Sequence, residues 1–256
     1  MLIVHVLILS LVEGLTEFLP VSSTGHLILT SHLLGIASSE FTKTFEIAIQ
    51  LGAIMAVILF YWKKLLEDKT LIYKALVGFL PTGILGFLLY PRIKSLLDAP
   101  LVTLSALFLG GLALILLELY FHYRKKTTIS KGYLSYKNAA LIGLIQSISM
   151  IPGVSRSAAS ICGGLLCGLD RQKAVEFSFI LAIPTMMAAT GYDLLKSSAS
   201  FTQNEYLSLA LGIAASCAVA LFAIKFLLKY VQKHTFIPFG IYRIILSILY
   251  FLLFIK

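Results

Sequence analysis

The fourteen residues Glu13-Gly14-Leu15-Thr16-Glu17-Phe18-Leu19-Pro20-Val21-Ser22-Ser23-Thr24-Gly25-His26 bring two carboxylates, three adjacent hydroxyls and an imidazole into an otherwise apolar stretch. Glu13 and Glu17 stand four residues apart, so on a helix they share a face. Neighbouring carboxylates repel unless a cation or a proton lies between them. The pair therefore suits a divalent ion held by hard oxygen ligands, or one carboxylate acting as a base beside an ionised partner. The plain structural alternative is a single protonated Glu, hydrogen-bonded inside a packed helix. Ser23 and His26 stand three apart at the start of a helix, where they can meet each other or one phosphate. Ser also bonds its own helix backbone, so the pair gains meaning only from its setting. A second cluster, Pro152-Gly153-Val154-Ser155-Arg156-Ser157, adds a permanently charged, forked donor matched to phosphate oxygens. The competing role for Arg156 is an ion pair with Glu13 or Glu17 that locks the two clusters together. His5, His32, His122 and His234 stand in no comparable cluster.

The elements that must position these groups are membrane helices. Apolar residues make up 59% of the chain and charged residues 13%, with a mean hydropathy of +0.93, which predicts an all-α polytopic membrane protein. Ionisable groups are costly in lipid, so those that remain there point to chemistry or transport. About 20 apolar residues span the hydrocarbon, and six segments approach that length: 45–62, 71–90, 101–121, 174–195, 206–231 and 236–255. Four others are too short: 2–19 and 26–36, parted by the break Pro20 to Gly25, and 139–152 and 157–169, parted by Pro152 to Ser157. Such pairs read as re-entrant helical hairpins.

A hairpin followed by three spans thus occurs twice, in internal repeats of approximately 1–121 and 139–256 within a single membrane domain, 1–256. An offset of 132 residues places Pro20 on Pro152, Ser23 on Ser155, Thr24 on Arg156 and Phe45 on Phe177. Three spans is an odd number, which predicts inverted topology, with the hairpin tips meeting near the midplane. At each tip a helix restarts, near Ser22, Ser23 and Thr24 and near Ser155, Arg156 and Ser157, with hydroxyls available as N-caps. Two helix N-termini converging on one point offer free N–H groups and positive dipole ends to an anion, and phosphate is the natural guest.

The net charge of +9 does not imply nucleic acid, because the basic residues fall in short loops. Loops 63–70, 122–138, 170–173 and 229–235 carry twelve Lys and Arg, against five in the opposite set (Lys43, Arg92, Lys94, Lys196 and Lys256). The richer side is expected to be cytoplasmic, leaving both termini and the first hairpin's entrance facing outward. The N-terminus lacks a basic region and an A-x-A cleavage site, so no cleaved leader is expected. Cys162, Cys167 and Cys217 lie in apolar stretches without CxxC spacing and read as packing residues.

The runs EGLTEFLPVSSTGH at 13–26 and PGVSRSAAS at 152–160 closely resemble the two signature motifs of the undecaprenyl-diphosphate phosphatases, the bacitracin-resistance family of bacterial inner-membrane enzymes. Similarity around Phe45-Glu46, Gln50-Leu51-Gly52, Glu176-Phe177-Ser178-Phe179, Phe236-Ile237-Pro238-Phe239 and Tyr242-Arg243 extends it over nearly the whole chain. The resemblance implies removal of the terminal phosphate of undecaprenyl diphosphate, regenerating the monophosphate carrier used for peptidoglycan and other envelope polymers. It further implies an outward-facing site, a homodimer and dependence on a divalent cation, Mg2+ or Ca2+. Carried over position by position, Glu13, Glu17, Ser23, His26 and Arg156 are the central residues, with Ser22, Thr24, Ser155 and Ser157 as phosphate contacts. The motif leaves the nucleophile open. Ser23 with Glu17 or His26 as base is the first choice, with His26 or an activated water as rivals. Inverted repeats with broken helices also build secondary transporters, so a flippase or carrier of a phosphorylated polyprenyl lipid is the alternative function.

Overall fold

The computed structural model describes residues 1–37, 40–97, 99–124, 133–196 and 202–254. Every regular element among them is helical: α1 (Ile3–Thr16), α2 (Ser23–Leu33), α3 (Glu40–Glu67), α4 (Lys69–Leu97), α5 (Pro100–Arg124), α6 (Tyr136–Gln146), a short 3-10 turn at Ser147–Met150, α7 (Arg156–Leu166), α8 (Arg171–Lys196), α9 (Gln203–Tyr230) and α10 (Ile237–Phe254). Loop lysines Lys125, Lys126 and Lys131 lie outside the described residues.

Among the described residues, five helices are long and apolar enough to cross a membrane: α3, α5, α8, α9 and the Lys69–Ile93 stretch of α4. Large apolar side chains such as Leu80, Phe87, Leu109 and Phe222 stand exposed on their outer faces, as expected where hydrocarbon replaces water as the solvent. The sixth expected span, 236–255, is helical over Ile237–Phe254. At 1.5 Å per residue it reaches about 27 Å, slightly less than the hydrocarbon thickness. It packs along α5.

The four short segments form two broken pairs, α1 with α2 and α6 with α7, as the Pro and Ser breaks predict. Their tips share one local design. Ser22 and Ser155 both hold positive φ, 73° and 76°, and both N-cap the following helix. Their hydroxyls accept the N–H three residues on, from Gly25 at 3.4 Å and from Ala158 at 3.2 Å. Each following helix runs eleven residues, and a left-handed glycine, Gly35 or Gly168, lies thirteen residues after the capping serine, with the same closing bonds, Ile36 N–H to the Ser31 carbonyl and Leu169 N–H to the Gly164 carbonyl. These equivalences run at 133 residues (22 to 155), which corrects the 132 offset at the tips by one: Ser23 corresponds to Arg156, and Ser22 to Ser155. The starts of α3 and α8, Glu40 and Arg171, stand 131 apart, so unequal loop lengths prevent any single offset from holding.

Each short pair leans on the other half of the chain. α1 packs along α9 and α6 along α4, while α3 and α8 pack against each other and contribute Ala53, Val57, Phe179 and Leu181 to the central core; Phe45 and Ile49 of α3 join Val6, Leu9 and Leu27 in a second cluster. The tips are thereby held inside protein, where freed backbone groups find partners.

Candidate active site

The first tip begins where α1 ends. Glu13 is fully buried on the last turn of α1, and neither carboxylate oxygen has a hydrogen-bond partner. It lies within electrostatic reach of two further carboxylates, Glu17 and Glu46, and of Arg156. Unpaired carboxylate oxygens in a protein interior are expensive, and a cation between them and their neighbours offsets that cost.

Glu17, one turn on, is the junction of the site. One of its oxygens accepts the hydroxyl of Ser23 across the break, and the other accepts Arg156 Nη2 at 2.9 Å. The two residues that open α2 and α7, equivalent positions of the two halves, therefore meet on a single carboxylate. The ion pair left open by the sequence is made, and its partner is Glu17. Arg156 is anchored further by Nη1 donating to the Ser178 carbonyl at 3.0 Å and Nη2 reaching Met186 Sδ at 3.4 Å, while its guanidinium lies 5.5 Å from the Phe18 ring centre. Phe179 meets Phe18 edge-on and closes the apolar wall behind the pair. Arg156 Nε is buried and has no protein partner.

His26 does not meet Ser23. Its Nδ1 lies 2.7 Å from the Ser22 carbonyl and its Nε2 2.6 Å from the Tyr242 hydroxyl, with the two rings stacked at 5.5 Å. Both ring nitrogens are thus engaged, and the hydroxyl of Ser23 belongs to Glu17. Ser22 and Ser155 spend their hydroxyls on capping. Ser157 donates to the Leu19 carbonyl at 2.8 Å, a bond from the second tip to the first, and sits 3.1 Å from the Ser155 hydroxyl. Thr24 is half-buried in the first turn of α2.

Four residues emerge that spacing did not single out: Glu46, whose carboxylate accepts Ser31; Ser178, which bonds Ser160 at 2.6 Å and lends its carbonyl to Arg156; Tyr242; and Arg243. All four lie in the stretches of family similarity outside the two signature motifs, and that is the one signal in the sequence that could have pointed to them.

As chemistry, a carboxylate bonded to a serine hydroxyl can take its proton as the oxygen attacks, and a guanidinium beside it can hold the charge of the group attacked. No three His, Cys, Asp or Glu side chains among the described residues converge to enclose a metal ion. The Glu13 and Glu17 carboxylates fit an ion that takes its remaining ligands from phosphate oxygens and water, the usual habit of Mg2+.

The model of the bacitracin resistance protein BacA family matches residues 6–249. The chain is 56% identical to an undecaprenyl-diphosphatase of Sulfurihydrogenibium sp. over 96% of both chains. Proteins of the same name from Wolinella succinogenes and Aquifex aeolicus are 50% and 47% identical, over 97% and 95% of this chain and 96% and 95% of theirs.

Proposed function

The chain belongs to the bacitracin resistance protein BacA family, and from that premise we propose that it hydrolyses undecaprenyl diphosphate to undecaprenyl phosphate and inorganic phosphate within the membrane. The observation that carries this reading is the meeting of Ser23 and Arg156 on Glu17, which joins a nucleophile, a base and a phosphate-binding cation in a water-poor interior.

Ser23 Oγ attacks the terminal phosphorus, its proton passes to Glu17, and the bond to the bridging oxygen breaks, releasing undecaprenyl phosphate. Water then opens the phosphoserine, yielding inorganic phosphate and restoring Ser23 and Glu17. Arg156 turns part of its fork from Glu17 to the phosphoryl oxygens as the carboxylate takes up the proton, with Nε as its uncommitted donor. Direct attack by His26 is disfavoured by its two existing hydrogen bonds, so His26 serves to fix the tip. Ser22, Thr24, Ser155 and Ser157 line the helix starts at which the phosphate docks.

Glu13 and Glu17 are the residues that would hold a divalent cation, Mg2+ or Ca2+, and the two unpartnered oxygens of Glu13 support its presence. Such an ion supplies charge neutralisation and polarisation of the phosphoryl oxygens. The two halves form an inverted pair of hairpin-plus-three-span repeats, with α10 as the sixth span, in a bacterial inner membrane. The basic loops lie in the cytoplasm, the termini and site entrance face outward, and the functional unit is a homodimer.

Release of phosphate by purified protein in detergent, where no gradient exists, tests the reading. Steady release from undecaprenyl diphosphate is expected; lipid movement in vesicles without any release would establish the flippase instead.

A further inference from the structure

Arg243 is wholly buried, carries a charge that no carboxylate among the described residues neutralises, and is absent from the chemistry above. Its guanidinium makes five hydrogen bonds, every one to a backbone carbonyl: Nε to Leu107 at 3.3 Å, Nη1 to Pro20 at 3.3 Å and Val154 at 3.0 Å, and Nη2 to Ala106 at 3.1 Å and Gly153 at 2.8 Å. These account for all five donors of the fork. Pro20 belongs to the first tip, Gly153 and Val154 to the second, and Ala106 and Leu107 to α5. One planar group therefore ties both tips to a common frame.

Its environment is built for that one side chain. At Gly110 a Cβ would stand 2.2 Å from Nη2, so only glycine admits the fork at this point of α5. Gly153 holds φ 94°, outside the range L side chains favour, and in that conformation its carbonyl meets Nη2. The adjacent Tyr242 bonds His26, so two consecutive residues of α10 address the first tip.

We propose that Arg243 is the positioning residue that sets the two hairpin tips in register, so that Ser23 on α2 and Arg156 on α7 reach the same phosphate. It does not touch the substrate, since its donors are committed. It acts through the carbonyls, and its uncancelled charge adds a fixed positive potential behind both tips. The proposal rests on the phosphatase reading for its consequence in turnover, but its structural part stands independently.

The test combines kinetics with amide hydrogen exchange on the purified full chain in detergent. Lysine keeps the charge but offers three donors on one nitrogen, too few for five carbonyls spread over three elements. Arg243→Lys should lower kcat about 10²-fold, the scale of an ångström of misplacement, with KM within about threefold. Amides at 20–25 and 153–158 should exchange at least about tenfold faster, with those of central α3 and α9 unchanged. Gly110→Ala should reproduce both effects with the charge intact. It should cost much less in the Arg243→Lys background, where no Nη2 remains to displace. Unchanged tip exchange, additive effects of the two substitutions, or loss of protection throughout the long helices would each overturn the proposal. Exchange is read without turnover, so absence of phosphate release from the wild type would refute the activity and leave this test intact.

Discussion

Glu17 faces two partners that are six and 139 residues away in the chain, a serine hydroxyl and a guanidinium, and each constrains what the other can do. Arg156→Lys keeps the charge but removes the planar fork that holds Glu17 and the Ser178 carbonyl and, in the proposed mechanism, the phosphate oxygens. Loss of such a donor to transition-state charge costs about 10²–10³ in rate. Steady-state phosphate release checks this, and turnover within a few-fold of wild type would remove Arg156 from its proposed role at the phosphate. Charge also bears on the metal. In the proposed complex two carboxylates and a diphosphate would meet in a low-dielectric interior against few fixed cations, and helix dipole ends worth about half a charge each would not balance them. Excess chelator is therefore expected to abolish activity, and Glu17→Gln to lower it while raising the metal concentration needed for the remainder. Full activity in chelator, with no metal bound by the purified protein, would return the Glu13/Glu17 pair to a shared proton.

The tips show what a sequence can and cannot disclose about an element. The Pro breaks, the hydroxyl-rich restarts and the shortness of the apolar runs on either side predict the two broken helix pairs, because each is a local property of backbone and solvent. The meeting of Ser23 with Glu17 is legible only through the family resemblance, which offers Glu17 or His26 as the base for Ser23; the structure pairs Ser23 with Glu17. His26 with Tyr242, 216 residues away, is not legible, and the Ser23–His26 contact, one of the two options the spacing offers, is not made. Arg243 is the least legible of all, because its partners are carbonyls, which every residue carries. The one-residue error in repeat register arose from matching residue types. The structure matches backbone conformation instead, through serines of positive φ at 22 and 155. That conformation costs about 1–3 kcal/mol for a non-glycine residue. Ser155→Gly should accordingly relieve strain while losing the capping hydroxyl, leaving the melting temperature nearly unchanged. Ser155→Ala keeps the strain and loses a cap worth about 1 kcal/mol. A larger loss of thermal stability for Gly than for Ala would show that the strained geometry is misassigned.

At the scale of the whole molecule, the five long apolar helices among the described residues fit a multi-pass membrane protein, and the split of basic loops makes the proposed outward-facing site testable. Thr128, in a basic loop, and Ser39 and Ser198, in loops of the opposite set, lie outside the described residues, so orientation is best probed at described, exposed neighbours. Cysteine at Gln203 is expected to react with an impermeant reagent on intact cells, and cysteine at Gln232 only after lysis; the reverse pattern would invert the topology and the side from which substrate enters. Beneath orientation lies the bond that is cut. Phosphorus NMR of undecaprenyl diphosphate turned over by the purified protein in detergent reads that bond directly. The account predicts undecaprenyl phosphate and inorganic phosphate appearing in equal amounts, with no release when Ser23, Glu17 or Arg156 is replaced by alanine. Pyrophosphate with free undecaprenol, or an unchanged diphosphate signal from folded wild-type protein, would contradict it.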